Sequence, residues 1–280
     1  MIIFANIALI LLWIGGSIGL VLGTYTLARK AMPPKPGYID DEGNAYPGSV
    51  RDMAAATGFR IAALYGIILA LVYAQELHDY QDVRAGLSRE AVAVAQVYHD
   101  AVRYGGPEAM PIKRDIAAYT RSVVEREWEK LSKEARLSPQ AWGQHNAALD
   151  AVLDLQAANA REEALRQRML TNLQRISDLR QYREEQAANN VPLVFWLPAI
   201  AGMAMVSIPF FAFPARRETF VLLSAFGAFA GLLLFFIDAF SNPFSEPFRV
   251  QPRAFERLLE TEIGKTQTAA PLPAMGGVTG

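Results

Sequence analysis

The sequence predicts an all-α integral membrane protein with four transmembrane helices and a long helical soluble region between the second and third. Charge is absent from four stretches, 1–28, 61–75, 186–215 and 219–237. It is dense at 76–185, where 16 Lys and Arg accompany 18 Asp and Glu, a net charge of −2. The stretch 219–237 is long enough as a helix to cross the ~30 Å hydrocarbon core of a bilayer.

The composition also excludes several classes of function. None of the 280 residues is cysteine, which rules out disulfides, thiolate metal sites and cysteine nucleophiles. A block of nearly balanced charge is a poor electrostatic match for nucleic acid, so no nucleic-acid partner is expected. The lipid bilayer is the partner that the apolar stretches predict.

We assign residues 1–28 to the first transmembrane helix. No Lys or Arg precedes its apolar run, and the run exceeds the core of a secretory signal, so we expect a retained span. Gly15 and Gly19 have the GxxxG spacing that lets helices approach closely. The alternative is a membrane helix that simply tolerates glycine.

A polar Pro/Gly loop at 29–52 leads to the second transmembrane helix, 53–76. The uncharged part of this span, 61–75, is only about 22 Å long as a helix. The helix must therefore start near Met53 and carry Arg60 in its first turns. An arginine at that depth snorkels, pairs or faces water.

The charged block at 77–188 is predicted to be helical and soluble. Ser88 can cap one helix, Pro111 opens a second that runs to about Arg136, and Ser138–Pro139 start a third. This third helix could reach Glu185 without a terminator, a length of about 65 to 70 Å. Its apolar positions form one stripe: Leu165, Met169, Leu173, Ile176 and Leu179.

A transmembrane hairpin, spans three and four, is predicted at 189–240. Asn189 and Asn190 offer caps ahead of Pro192, and Pro198 and Pro209 should kink span three. An exit segment with a short amphipathic helix follows at 241–263, and 264–280 should be a disordered tail. Lys and Arg are shared almost evenly between the two sides, so the orientation stays open.

The exit of span four carries the resemblance to a known family. Two spans, a charged helical block and a hairpin that ends through Asp238 and Asn242-Pro243-Phe244 resemble the bestrophins, and more closely the bacterial family named bestrophin-like. Val250, Pro252 and an amphipathic segment with Phe255, Leu258 and Leu259 extend the match. Ser245 and Glu246 stand where that family is expected to have a glycine.

The resemblance to bestrophins implies a homo-oligomer, a pentamer, that conducts small anions such as chloride, with the second span lining the pore. It implies an integral protein of the bacterial cytoplasmic membrane. Animal bestrophins bind calcium through an acidic run after this motif, whereas here Glu246 is a single carboxylate beside Ser245 and Pro247. Calcium prefers six to eight oxygen ligands, so we expect no calcium site and no other cofactor.

If the second span lines a pore, four apolar or aromatic positions at helical spacing could form its constriction: Tyr65, Ile68 or Leu69, and Val72. The alternative is a stripe that faces lipid or another helix. Arg60 could draw anions to the mouth of the pore, or snorkel to lipid phosphate. Asp238 could lie in a polar cavity, pair with Arg249 or mark the water boundary.

No constellation of acid, base and nucleophile can be assembled, and the chain is not expected to be an enzyme. His78 and Asp82 lie four residues apart and could give two metal ligands, but a solvated helix face explains them better. The alternative to a channel is a non-conducting membrane scaffold or signalling protein whose long helices bind a partner.

Overall fold

The structure, a computed structural model, describes residues 2–34, 37–39, 45–188 and 193–264. It is 85% helical, and those residues contain no strand. In chain order the α-helices are α1 (Ile2–Ala31), α2 (Gly48–Tyr104), α3 (Ala109–Ser122), α4 (Trp128–Glu134), α5 (Pro139–Leu153), α6 (Ala160–Ala188), α7 (Leu193–Ser207), α8 (Arg217–Ser241) and α9 (Arg253–Leu258).

Four helices are long and apolar enough to cross a membrane, which confirms the predicted fold class. They are α1, α2, α8, and α7 together with the 3₁₀ turn Ile208–Ala212. The chain divides into two compact units. The membrane unit comprises residues 1–80, 190–242 and 246–248, and the charged unit comprises residues 81–189, 243–245 and 249–280.

In the membrane unit, α1 packs against α8 because two glycines of α8 remove side chains from the contact. A Cβ added at Gly227 would lie 2.9 Å from the Cα of Ile18, and one at Gly231 would lie 2.7 Å from the Trp13 carbonyl oxygen. A Cβ at Gly15 or Gly19 would meet nothing within 4 Å. The close helix contact is therefore made by Gly227 and Gly231, which also have the GxxxG spacing, and not by the pair in α1.

The second span is the start of a much longer helix. α2 has 57 residues and is about 85 Å long, because no proline or glycine pair interrupts it before Gly105–Gly106. The prediction that Ser88 caps a new helix was wrong. Its hydroxyl donates to the Arg84 carbonyl oxygen at 3.3 Å, a bond between successive turns of a helix that simply continues.

Prolines shape α7 and its end. Pro198 lies inside α7, and Pro209 opens the 3₁₀ turn that ends it. A Cβ on Gly58 of α2 would lie 3.4 Å from the Pro209 side chain, so the two segments pass close together. Residues 213–216 then join this turn to α8, which gives the short hairpin connection that the sequence predicts.

The charged unit contains α3, a π-helical turn (Val123–Glu127), α4, α5 and α6. The prediction of one helix from Ser138–Pro139 to Glu185 was wrong, because α5 ends at Leu153 and α6 begins at Ala160. Asn159 starts α6 through a reciprocal cap: its side-chain oxygen accepts from the Glu162 N–H at 3.0 Å, and its amide donates to the Glu162 carboxylate at 2.7 Å.

The predicted apolar stripe of α6 forms part of the core of the charged unit. Leu165, Met169, Leu173 and Ile176 are buried, whereas Leu179 is only half-buried. The next buried position is Arg180. The inward face of α6 therefore continues beyond Ile176 through charged side chains.

The exit segment folds back as a closed loop before α9. The Val250 N–H donates to the Pro243 carbonyl oxygen at 2.8 Å, and Pro252 caps α9 by accepting from the Phe255 N–H at 2.9 Å. Phe255 and Leu258 are buried, in keeping with the predicted amphipathic segment. The predicted caps at Asn189 and Asn190, and the predicted disordered tail after Gly264, lie outside the described residues.

Candidate functional site

The membrane part of α2 has an inner and an outer face. Tyr65 and Leu69 point inward, are 5% and 3% exposed, and belong to a core cluster with Met203, Leu223 and Leu234. This face is filled because α7 and α8 supply large apolar side chains opposite it. The Tyr65 ring also occupies the space that Gly202 leaves open, where an added Cβ would lie 2.4 Å from that ring.

The outer face carries a row of exposed side chains, which we name the exposed seam: Met53, Arg60, Leu64, Ile67 and Leu71. The steps between them are seven, four, three and four residues, the heptad spacing with which one helix packs against others. Each of the four apolar members is more than half exposed. The described residues of the membrane unit cover none of these positions.

The structure distributes the predicted pore-lining residues over both faces. Arg60 and Ile68 are exposed on the outer side, Tyr65 and Leu69 lie in the core of the membrane unit, and Val72 packs half-buried against that core. The predicted spacing selects mainly the inward face. The seven-residue repeat Met53, Arg60, Ile67 in the sequence is the signal that identifies the outer face.

Arg60 is the single charged member of the exposed seam. In the part of α2 that belongs to the membrane unit, the acidic groups lie elsewhere: Asp52 near its start, and Glu76 and Asp79, both half-buried, near residue 80. Asp79 accepts a hydrogen bond from the Gln75 amide at 2.8 Å. The seam therefore combines one cationic position with an apolar stretch, Leu64 to Leu71, of about two turns.

The predicted exit residues serve mainly to hold the structure together. The half-buried Asp238 accepts a hydrogen bond from the Trp13 indole of α1. Pro243 and Phe244 are buried in the charged unit, where the Phe244 ring meets the Trp128 ring edge-on at 6.2 Å. Asn242, half-buried at the end of α8, is the last residue of that part of the membrane unit.

The charged unit contains a buried ionic network that sequence reasoning did not identify. Glu90, Glu127, Arg180 and Arg183 are at most 2% exposed. Arg180 Nη2 lies 2.6 Å from Glu127 Oε1, and Arg183 lies between Glu127 and Glu90, with Nη1 3.1 Å from Glu90 Oε2. Two carboxylates thus balance two guanidinium groups.

Aromatic side chains enclose this network. The Arg180 guanidinium lies 4.7 Å from the Trp142 ring centre and 5.1 Å from that of Tyr119, and the Tyr119 hydroxyl donates to Glu90. Burial, and then the Glu90 carboxylate, raise the pKa of Tyr119 well above its usual value, so this phenol stays protonated. Burial alone would lower the pKa of Arg180, but Tyr119 and Glu127 raise it instead.

The network ties α2, α3, the π-helical turn and α6 together. Its two carboxylates balance the charges of its two guanidinium groups, although some buried guanidinium N–H groups of Arg180 and Arg183 have no hydrogen-bond acceptor among the described residues. It is therefore a structural feature. The described ranges contain no group of three or more His, Asp or Glu side chains placed to bind a metal ion. His78 is exposed on α2.

A family model described as a bestrophin-like domain matches residues 49–255, about three quarters of the chain. The match begins in the first turn of α2 and ends in α9. It therefore includes the exposed seam, the ionic network and the exit segment. No curated protein matches the sequence.

Proposed function

Because the chain belongs to the bestrophin-like family, we propose that several copies assemble around the exposed seam of α2 into a passive channel for small anions such as chloride. The seam is the observation that carries this proposal. The protein is a membrane protein, and we further propose the bacterial cytoplasmic membrane as its location and the pentamer as its assembly. No catalytic activity and no calcium requirement are part of the proposal.

The spacing of the seam supports assembly. Heptad spacing is typical of helices that pack against other helices over several turns, whereas lipid imposes no such register. At Tyr65 and Leu69 the opposite face of α2 is already filled by its own chain, so the seam is the side that is available to other copies there. Copies arranged about an axis would place their seams around a central path.

The chemistry of the seam supports anions. A ring of Arg60 side chains, one from each copy, would attract anions to one end of the path and repel cations. Leu64, Ile67 and Leu71 would then form an apolar constriction, which can gate conduction by losing water. No acidic side chain belongs to the seam between Met53 and Leu71.

The first test is chloride efflux from liposomes that hold the purified protein, with its oligomeric mass measured in the same preparation. Leu64→Ser and Leu71→Ser should each raise efflux, because a polar side chain lowers the cost of wetting an apolar constriction. Leu197→Ser, at an exposed position of α7, is the matched control and should change little. Equal responses at all three positions would contradict a pore at the seam.

The second test concerns selectivity. Arg60→Glu should weaken or reverse the preference for chloride over potassium, because it inverts the ring of charge. Lys30→Glu, an exposed residue in the last turn of α1, makes the same charge change away from the seam and should leave selectivity unchanged. If the Arg60→Glu variant conducts with unchanged selectivity, the pore mouth lies elsewhere.

The alternative is a non-conducting membrane scaffold. Exposed apolar side chains of the charged unit favour it, since Val92, Met110 and Leu153 are each more than half exposed and could contact a partner. An intact oligomer that conducts no chloride, even with Leu71→Ser, would support this reading. Capture of a partner should then be lost on Met110→Asp and Leu153→Asp.

A further inference from the structure

A cavity of about 340 Å³ lies within the membrane unit, on the side of α2 opposite the exposed seam. Its walls are the first turns of α2 in the span, the end of α7 with its 3₁₀ turn, and the start of α8. Every lining side chain is apolar or is a glycine. The cavity therefore offers no group to which water could hydrogen-bond through a side chain.

Residue size explains why space remains there. α2 presents Ala54, Ala55, Gly58 and Ala62 along this face, where larger side chains would fill the gap. Pro209 touches α2 at Gly58 and sets the distance between the segments, because a Cβ added at that glycine would lie 3.4 Å away. The space beside this contact is left unfilled.

The cavity opens at the outer surface of the membrane unit. Two of its lining side chains, Phe59 of α2 and Leu222 of α8, are 76% and 64% exposed and form its rim. Since α2 and α8 are long and apolar enough to span a membrane, we expect lipid rather than water around this rim. A dry apolar space of this kind excludes water and accepts hydrocarbon.

Basic side chains concentrate at the same end of the membrane unit. The Tyr25 hydroxyl donates to the Phe213 carbonyl oxygen at 3.2 Å, which places the end of α1 beside the start of α8. Asp52 and Glu218 are the acidic residues among the described positions here. Six cationic residues outnumber them: Arg29, Lys30, Arg51, Arg60, Arg216 and Arg217.

Arg216 is exposed and is the N-cap residue of α8, seven residues before the cavity-lining Leu223. Seven residues are about two helical turns, so Arg216 lies on the same face of α8 as Leu223, about 10.5 Å nearer the end of the span. A negatively charged headgroup at Arg216 would therefore have its acyl chains beginning at the depth of the cavity. Charge at the end and an apolar space inside fit the two parts of one amphipathic molecule.

We propose that this cavity is a binding site for an anionic phospholipid of the surrounding bilayer, with an acyl chain between Phe59 and Leu222 and the phosphate at Arg216. The site lies on the face of α2 opposite the exposed seam, where a bound lipid would pack against this helix. It does not depend on anion conduction, and its test does not measure conduction.

The test uses the full chain in phosphatidylcholine vesicles that contain a phosphatidylglycerol with a photoactivatable group in its acyl chain. Illumination should label residues 54–62 and 222–226, which peptide mass spectrometry can locate. The double variant Ala55→Phe/Ala62→Phe fills the cavity and should lose this labelling. Ala56→Phe/Ala63→Phe adds the same volume at exposed neighbouring positions and should retain it.

The headgroup is tested with the same probe. Arg216→Gln should lower the preference for labelled phosphatidylglycerol over labelled phosphatidylcholine about fivefold, the effect expected for one arginine near an anionic lipid. Labelling that is equally strong in both double variants, or that shows no preference for the anionic probe in the unaltered protein, would overturn the proposal.

A second copy of the chain is the other occupant to exclude. Because the sequence has no cysteine, Phe59→Cys introduces a single thiol at the rim. Under oxidising conditions in vesicles, the proposal expects this variant to stay free of disulfide-linked dimers. Efficient dimer formation would show that another subunit covers the cavity and would also overturn the proposal.

Discussion

The two units of this chain reverse each other in what they bury and expose. Among the described residues, the buried non-aromatic polar side chains of the membrane unit are Ser17 and Ser207, whereas every buried charged side chain lies in the charged unit. Conversely, large exposed apolar side chains concentrate in the membrane unit. Because lipid is itself apolar, there is no hydrophobic driving force to bury apolar side chains inside the membrane unit, which relies on close packing instead.

The comparison shows how each unit holds its helices together. The membrane unit does so through glycine contacts and ring stacking, with Phe240 and Phe248 at 4.9 Å and Trp13 and Trp196 at 5.1 Å. The charged unit can tolerate ions in its interior because they arrive in balanced pairs and its apolar core supplies the driving force. Substitutions in the two units should therefore destabilise them by different mechanisms.

The largest effect is expected in the ionic network. Glu127→Ala leaves Arg180 and Arg183 buried without their shared partner and should destabilise the charged unit by about 3–5 kcal/mol. Trypsin cleavage of the charged unit in detergent measures this, since the unit is rich in Lys and Arg. Replacing the whole network with Glu90→Leu, Glu127→Leu, Arg180→Met and Arg183→Met should cost less. If that variant is as easily cleaved as Glu127→Ala, the damage does not come from unpaired charge.

An intermediate effect is expected where α1 meets α8. Gly231→Leu places a side chain where the Trp13 carbonyl oxygen and Ser17 already lie, and should destabilise the membrane unit by about 1–3 kcal/mol. Gly19→Leu makes the same change where nothing lies within 4 Å, and serves as the control. Thermal unfolding in detergent compares them. Equal midpoints for the two variants would mean that the glycine contact does not hold α1.

The smallest effect is expected at Tyr65 of the membrane unit, which we contrast with Trp128 of the charged unit. The Trp128 indole donates to the Val250 carbonyl oxygen, so Trp128→Phe should cost about 1–3 kcal/mol. The buried Tyr65 hydroxyl has no hydrogen-bond partner among the described residues, so Tyr65→Phe should leave thermal stability unchanged or raise it. A lower unfolding temperature for Tyr65→Phe would reveal a polar contact that the hydroxyl makes in the membrane.

Hydropathy predicts the membrane part of this fold well because a span needs only length and absence of charge. The helix limits in the charged unit were harder. Ser88 has the residue type of a cap but neighbours that favour continuing a helix, whereas Asn159 and Glu162 have the capping pattern that does begin α6. When two capping signals have similar strength, tertiary packing determines which of them starts a helix, and the sequence alone does not show that packing.

The candidate site shows the same limit. Leu179 extends the apolar stripe of α6 by hydrophobicity, but the true inward positions are Arg180 and Arg183, because Glu90 and Glu127 approach from α2 and the π-helical turn. Charged partners so distant in sequence cannot be paired by spacing. For α2, by contrast, the exposed seam is visible in the sequence as a heptad repeat. Which face of α2 remains exposed, however, depends on where α7 and α8 pack.

The contact between α1 and α8 also sets an order of events during synthesis. α1 emerges first from the ribosome, yet its main neighbour is completed only at Ser241, after the largest segment of the charged unit, residues 81–189, has been made. This segment can begin to fold while α1 lies in the membrane without its neighbour, since domains generally fold as units as they are translated. A nascent chain that stalls before Gly227 leaves α1 unassembled, which makes that interval the one in which membrane quality control can act on it.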